Sequence, residues 1–134
     1  MNPRASRVTV GLVGLGLMGR GIGLSLLRAG NSLYILPHRR RETAEELVDA
    51  GATEVATPTD LGMHCDVIVS CPPTSEAVEQ VLLGPGGVAN AGPAYGRSGR
   101  DLLVIECSTL TPEKGIAIYS GLHTAGIAFV DAPL

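Results

Sequence analysis

A chain of 134 residues has room for one domain with one substantial core, and a second full domain does not fit. Hydrophobic residues make up 45% of it and charged residues 17%, with one Phe, three Tyr and no Trp, which describes a globular protein whose core is aliphatic, as in α/β sheets. The net charge of −3 argues against general nucleic-acid binding, while the odd, widely spaced Cys65, Cys71 and Cys107 and the scattered His38, His64 and His123 argue against a disulfide framework and a metal site.

Met1 to Arg7 followed by an apolar run imitates a secretory signal, but Arg20 and a glycine pattern interrupt it before a cleavage region. The run also falls short of the ~20 apolar residues of a membrane span, so a cytoplasmic chain without a membrane partner is expected. Val8, Val10, Leu12 and Val13 suit a buried parallel strand. The strand leads into Gly14-Leu15-Gly16-Leu17-Met18-Gly19. In such a turn the first glycine permits the sharp bend, the second lets a phosphate approach bare backbone, and the third lets the next helix pack against the strand. That helix spans Leu17 to Arg28, with Ile22, Leu24, Leu26 and Leu27 as its apolar face, and it would aim its free N–H groups at a pyrophosphate.

A Gly-x-Gly-x-x-Gly alone is weak in a chain with 18 glycines; a strand before it, a helix after it and a second strand about 20 residues on make it a dinucleotide motif. Leu33 to Leu36 is that second strand, and it runs into Pro37-His38-Arg39-Arg40-Arg41. No Asp or Glu closes it to hold a ribose 2′-OH. A 2′-phosphate on Arg39, with Arg40 as a second contact and His38 beside them, is the better fit to this basic run, so NADP is favoured over NAD.

Glu42 to Ala50 reads as the second crossover helix, stopped at Gly51. Glu54 to Ala56 is a short strand, and Thr57-Pro58-Thr59-Asp60 opens a short helix to about His64. Asp66 to Cys71 is another buried strand, ended by Pro72-Pro73, and Cys71, Pro72 and Pro73 should border the cofactor. Thr74 or Ser75 caps a helix to Leu83, and Gly84-Pro85-Gly86-Gly87 ends it. Gly92 to Gly99 reads as an exposed loop. Leu102 to Ile105 is a strand delivering Glu106-Cys107-Ser108-Thr109, Thr111-Pro112 opens a helix to about Ala125, and Ala128 to Val130 is a sixth strand before Asp131-Ala132-Pro133-Leu134. The alternation predicts an α/β, Rossmann-type doubly wound sheet, mainly parallel, of about six strands, forming one dinucleotide-binding domain over residues 1–134.

Gly14 to Gly19, Val81-Leu-Leu-Gly-Pro-Gly-Gly87, Ser108-Thr109 and Asp131-Ala-Pro133 together resemble the β-hydroxyacid dehydrogenase family, which includes 3-hydroxyisobutyrate dehydrogenases and semialdehyde reductases and is related to 6-phosphogluconate dehydrogenase. Ser25, Glu106 and Cys71-Pro72-Pro73 depart from its common residues. The resemblance implies hydride transfer between a nicotinamide cofactor and a small β-hydroxyacid or semialdehyde, with Thr109 beside the nicotinamide ribose. It also implies an all-helical domain after Asp-Ala-Pro, which carries the catalytic lysine and through which the full-length form assembles as a homo-oligomer. That domain is absent from this sequence, so no catalytic residue is assigned within it and the chain is not expected to catalyse alone. Lys114, the only lysine, does not match the catalytic position and is read as a solvated helix residue. A stand-alone nucleotide-binding or regulatory module is the alternative.

Overall fold

Thr9–Val13 forms β1, and four of its five residues are buried. A strand buried on both faces belongs in the middle of a sheet. Around it lie β2 (Ser32–Leu36), β3 (Thr53–Glu54), β4 (Val67–Ser70), β5 (Leu103–Glu106) and β6 (Ala128–Asp131), in the spatial order 3-2-1-4-5-6 with every pairing parallel. The computed structural model describes residues 8–37, 41–92 and 101–134. This is the Rossmann order, and the reversal between β1 and β4 creates the crevice in which such sheets bind ligands.

Helices cover both faces. On one side α1 (Leu17–Arg28) and α2 (Arg41–Asp49) enclose a core of Val10, Leu12, Leu33, Ile35, Ala44 and Leu47. On the other, α3 (Pro58–His64), α4 (Ser75–Leu83) and α5 (Pro112–Thr124) pack Leu61, Val78, Leu82, Ile118 and Leu122 against Val13, Ile68 and Val104. Alternation along β1 divides the two cores: Leu12 faces the first, while a Cβ on Gly11 would meet Leu61 and Cys65 of the second.

The helix starts follow local chemistry. Thr57, Thr74 and Thr111 each accept a hydrogen bond from a backbone N–H three residues on, and Pro58 and Pro112 begin their helices where no N–H is needed. The expected packing face of α1 needs correction. Its fully buried residues are Gly19 and Gly23, and the predicted Ile22, Leu24, Leu26 and Leu27 are only half-buried at the flanks. A Cβ on Gly23 would lie 3.0 Å from Leu47 Cδ2 and 3.1 Å from Leu12 Cδ2, so the glycines bring the helix down onto the sheet and the leucines grip its sides. A 3-10 turn at Val88–Ala91, not anticipated from the glycine-rich sequence, buries Val88 and Ala91 beneath α3. Most of the loop expected from Gly92 to Gly99 lies outside the described residues. Among the described residues, no helix is long and apolar enough to cross a membrane.

Leu12 is wholly buried at the centre of this packing. Leu12→Ala should lower the unfolding free energy by about 2–5 kcal/mol in urea denaturation, with the native secondary structure retained; a loss below about 1 kcal/mol would mean that the first core is not packed as described.

Candidate functional site

The site begins where β1 ends. Gly14 has φ +90°, and a Cβ there would lie 2.4 Å from the carbonyl oxygen of Cys71, so the bend is pressed against the end of β4. A Cβ on Gly19 would lie 1.8 Å from the Gly14 carbonyl oxygen, a distance no side chain survives. At Gly16 the opposite holds: a Cβ would meet nothing within 4 Å. Two glycines of the turn close a contact and the third leaves a space.

That space faces the start of α1. The first backbone bond of the helix is donated by Arg20 N–H to the Gly16 carbonyl at 2.8 Å, so the N–H groups of Leu17, Met18 and Gly19 precede the helical ladder. No side chain caps this end and no acidic residue lies in its first turn. The positive end of the helix dipole therefore opens, unneutralised, onto a cavity of about 420 Å³. The cavity is bounded by Gly16 to Gly19, by Cys71, Pro72 and Pro73 after β4, and by Cys107, Ser108 and Thr109 after β5, with Leu134 at its edge.

The strand ends are tied together. Cys71 N–H donates to the Val13 carbonyl at 2.9 Å and Cys107 N–H to the Ser70 carbonyl at 2.8 Å, extending the ladder to the cavity floor. The Ser108 hydroxyl donates to the Pro72 carbonyl at 2.7 Å, and the Ser108 N–H donates to Glu106 Oε2 at 3.1 Å. Glu106 is completely buried, and among the described residues neither its Oε1 nor the Ser70 hydroxyl opposite it has a partner of good geometry. Burial pushes the Glu106 carboxyl above its ordinary value; the nearby Ser70 and Ser108 oppose the shift and Asp131 reinforces it. Burial likewise raises the Cys71 thiol to about 12, with Cys107 and Glu106 adding to the effect, and it raises Cys107 as well.

Of the residues expected from the sequence, Gly16, Leu17, Met18, Gly19, Cys71, Pro72, Pro73 and Thr109 come together around the cavity. Gly14 lies behind it, and the Leu15 side chain is buried in the core. His38, Arg39 and Arg40 lie outside the described residues. Arg41, the last member of the basic run, is not a free cation, because its guanidinium forms a fork with Glu54 at 2.9 and 3.2 Å. Lys114 is not simply solvated: its side chain is half-buried and its ammonium donates to Glu79 at 2.6 Å, tying α5 to α4. Sequence reasoning missed Cys107, Ser108 and Leu134 as cavity residues and Glu106 as their support. Continuing the β4–β5 register one residue would have placed Cys107 beside Cys71. Among the described residues, no group of three or more His, Cys, Asp or Glu could hold a metal ion.

Residues 9–134 match the family described as the NAD binding domain of 6-phosphogluconate dehydrogenase. The chain is 35% identical over 125 residues to an L-threonate dehydrogenase of Cupriavidus necator and 32% identical over 126 residues to an NAD-dependent L-serine dehydrogenase of Pseudomonas aeruginosa, in each case covering 93% of this chain and 40% of the relative. The chain thus spans about two-fifths of the length of these relatives. Among solved structures it superposes on Psf3 in complex with NADP+ with a TM-score of 0.79 at 26% identity, covering 92% of this chain and 42% of the other.

The buried carboxyl predicts a pH dependence. A raised pKa means that the folded state holds the proton more tightly than the unfolded one, so Glu106 does not weaken the fold below its ordinary value of 4.5 and weakens it progressively as pH rises above that value toward the folded pKa. Glu106→Gln, which keeps an acceptor for Ser108 N–H and cannot ionise, should flatten this decline and make the chain more stable than the parent at neutral pH. Parallel stability–pH curves for the two proteins would show that the carboxyl is not buried as described.

Proposed function

The chain belongs to the family of NAD-binding domains of 6-phosphogluconate dehydrogenase, and from that premise we propose that it is the NADP(H)-binding part of an oxidoreductase acting on a small β-hydroxyacid or semialdehyde. The observation that carries the proposal is the pairing of an open Gly16 with an uncapped α1 N-terminus at the β1/β4 crevice. Exposed N–H groups and a positive dipole end suit a pyrophosphate, and the absence of a Cβ lets it come within hydrogen-bonding distance of backbone.

In this proposal Gly14, Leu15, Gly16, Leu17, Met18 and Gly19 form the turn under the pyrophosphate. His38, Arg39 and Arg40 meet the adenosine 2′-phosphate, and Cys71, Pro72, Pro73 and Thr109 border the nicotinamide half. When bound, the cofactor supplies or accepts hydride. The chain's own residues hold it: the Ser108 hydroxyl, already donated to Pro72, and Glu106, which accepts the Ser108 N–H, fix the loop that presents Thr109. Among the described residues, none of the cavity's side chains is a charged proton donor, and Lys114 is committed to Glu79. The proton donor is therefore assigned to the whole protein rather than to these residues. We further propose a cytoplasmic protein with a small-molecule substrate, no nucleic-acid partner and a homo-oligomeric whole form, which is where the family resemblance and the modest negative charge lead.

Two measurements test the cofactor assignment. NADPH should bind more tightly than NADH by about ten- to a hundredfold, the worth of a charge-assisted contact of roughly 1.5–3 kcal/mol, and Arg39→Ala should narrow the gap. Equal affinities for the two cofactors in calorimetry would overturn the NADP preference. Gly16→Val should abolish binding of both while thermal unfolding remains cooperative, because the added side chain fills open space rather than the core. Undiminished affinity in that variant would move the pyrophosphate elsewhere.

A further inference from the structure

Beyond the glycine turn, the cavity floor carries a pair of side chains that dinucleotide binding does not require. The β4–β5 register pairs Val69 with Ile105 and Ser70 with Glu106, and the Cys107 N–H donated to the Ser70 carbonyl continues the ladder. One residue further, Cys71 and Cys107 stand side by side at the ends of neighbouring parallel strands. Both thiols are free, both are half-buried and both line the cavity. Neighbouring strands run about 4.7–4.9 Å apart, within the roughly 4.4–6.8 Å Cα separation that a disulfide spans. The two thiols bear on each other's ionisation: the neighbouring Cys71 favours the Cys107 thiolate, and a charge on Cys107 holds the Cys71 proton in place. Cys65, at the opposite end of β4, is fully buried.

We propose that Cys71 and Cys107 form an oxidisable dithiol that closes to a disulfide across the ends of β4 and β5 when a low-molecular-weight disulfide such as oxidised glutathione reaches the cavity, and that a dinucleotide bound there shields it. The shielding rests on the cofactor reading of the cavity; the dithiol does not.

The order of the steps follows from the two environments. Burial raises both thiols, but Cys107 ionises first: its neighbour Cys71 favours the Cys107 thiolate, whereas the Cys71 thiol is held at about 12 mainly by burial and also by Cys107 and Glu106. The Cys107 thiolate attacks one sulfur of the glutathione disulfide, the S–S bond breaks, and one glutathione leaves and takes up a proton. The Cys107 charge is then gone, which removes one of the influences holding the Cys71 proton in place. Cys71 loses that proton and attacks the Cys107 sulfur of the mixed disulfide, and the second glutathione leaves as its thiol. Two cysteine thiols are oxidised, one glutathione disulfide is reduced to two thiols, and both protons end on glutathione. Because burial raises both thiols, with Glu106 adding to it, and each must ionise to react, the reaction quickens toward mildly alkaline pH.

The chain is incubated with oxidised glutathione at mildly alkaline pH, with and without NADPH, then alkylated and examined by intact mass and peptide mapping. The expected product has lost two hydrogens, joins the Cys71 and Cys107 peptides and leaves Cys65 to be alkylated after unfolding. Cys71→Ser should stop at one glutathione adduct on Cys107. A parent chain that carries glutathione adducts without an internal link, or links through Cys65, overturns the dithiol. NADPH at about 100 times its Kd should slow closure about tenfold or more, because only the free chain reacts. If calorimetry shows NADPH bound and closure is not slowed, the shielding is overturned. If NADPH does not bind while the link still forms, the cofactor reading fails and the dithiol stands.

Discussion

The structure depends on one contact, the α-carbon of Gly19 against the carbonyl oxygen of Gly14. A Cβ at Gly19 would lie 1.8 Å from that oxygen, so the start of α1 can approach the end of β1 only with hydrogen at this position. Four residues later Gly23 repeats the device against Leu12 and Leu47. Together they lay α1 flat on the sheet, and the dipole end of the helix is thereby aimed along the crevice between β1 and β4 rather than away from it. Packing and binding geometry are here the same constraint. A larger residue at Gly19 would tilt the helix and take the three leading N–H groups with it.

Around this contact, charge is kept out of the cavity and neutralised at its margins. The described residues lining it carry no ionised side chain; Arg20, in the first turn of α1, is turned away and forked onto Glu46 of α2 with both distances 2.6 Å. Arg41 is similarly paired with Glu54 and Lys114 with Glu79. Among the described residues, what remains to meet an anion in the cavity is backbone: N–H groups whose partial charge is fixed in direction and carries no side-chain entropy. Glu106 lies buried beneath this floor, where burial disfavours its charged form and raises its carboxyl above the ordinary value.

The fold was legible in the sequence because its signals are local and redundant. Every strand but one is a short, mainly apolar run, and three of the helices open on a threonine cap, two with proline after it, so element order follows from residues close in sequence. The exception is β3, two exposed polar residues, Thr53–Glu54, that begin one residue before the expected Glu54 to Ala56. The interior of α1 was misjudged because periodicity counts leucines, whereas the buried stripe is made of glycines, which add little to an apolar pattern. The 3-10 turn was hidden for a related reason: glycine and proline before Val88 signal a chain break, and only the presence of α3 across the space makes burial of Val88 and Ala91 worthwhile.

The site was legible where one strand meets the next element and less so where two strands meet each other. Gly16 and the residues around it announce themselves by spacing. Ser108, Cys107 and Glu106 acquire their roles from β4, some 36 positions away in the case of Ser108 and Pro72. Their importance follows from register: once Ser70 is opposite Glu106, the next pair is Cys71 with Cys107, and the residue after that can reach across to the Pro72 carbonyl. Parallel pairing fixes both consequences at once, since a shift of one residue would turn Glu106 to the opposite face of the sheet and leave Ser108 N–H without its carboxylate. The floor of the cavity is thus specified by the hydrophobic pattern of two buried strands, and its polar residues are carried into place by core packing rather than by attraction to one another.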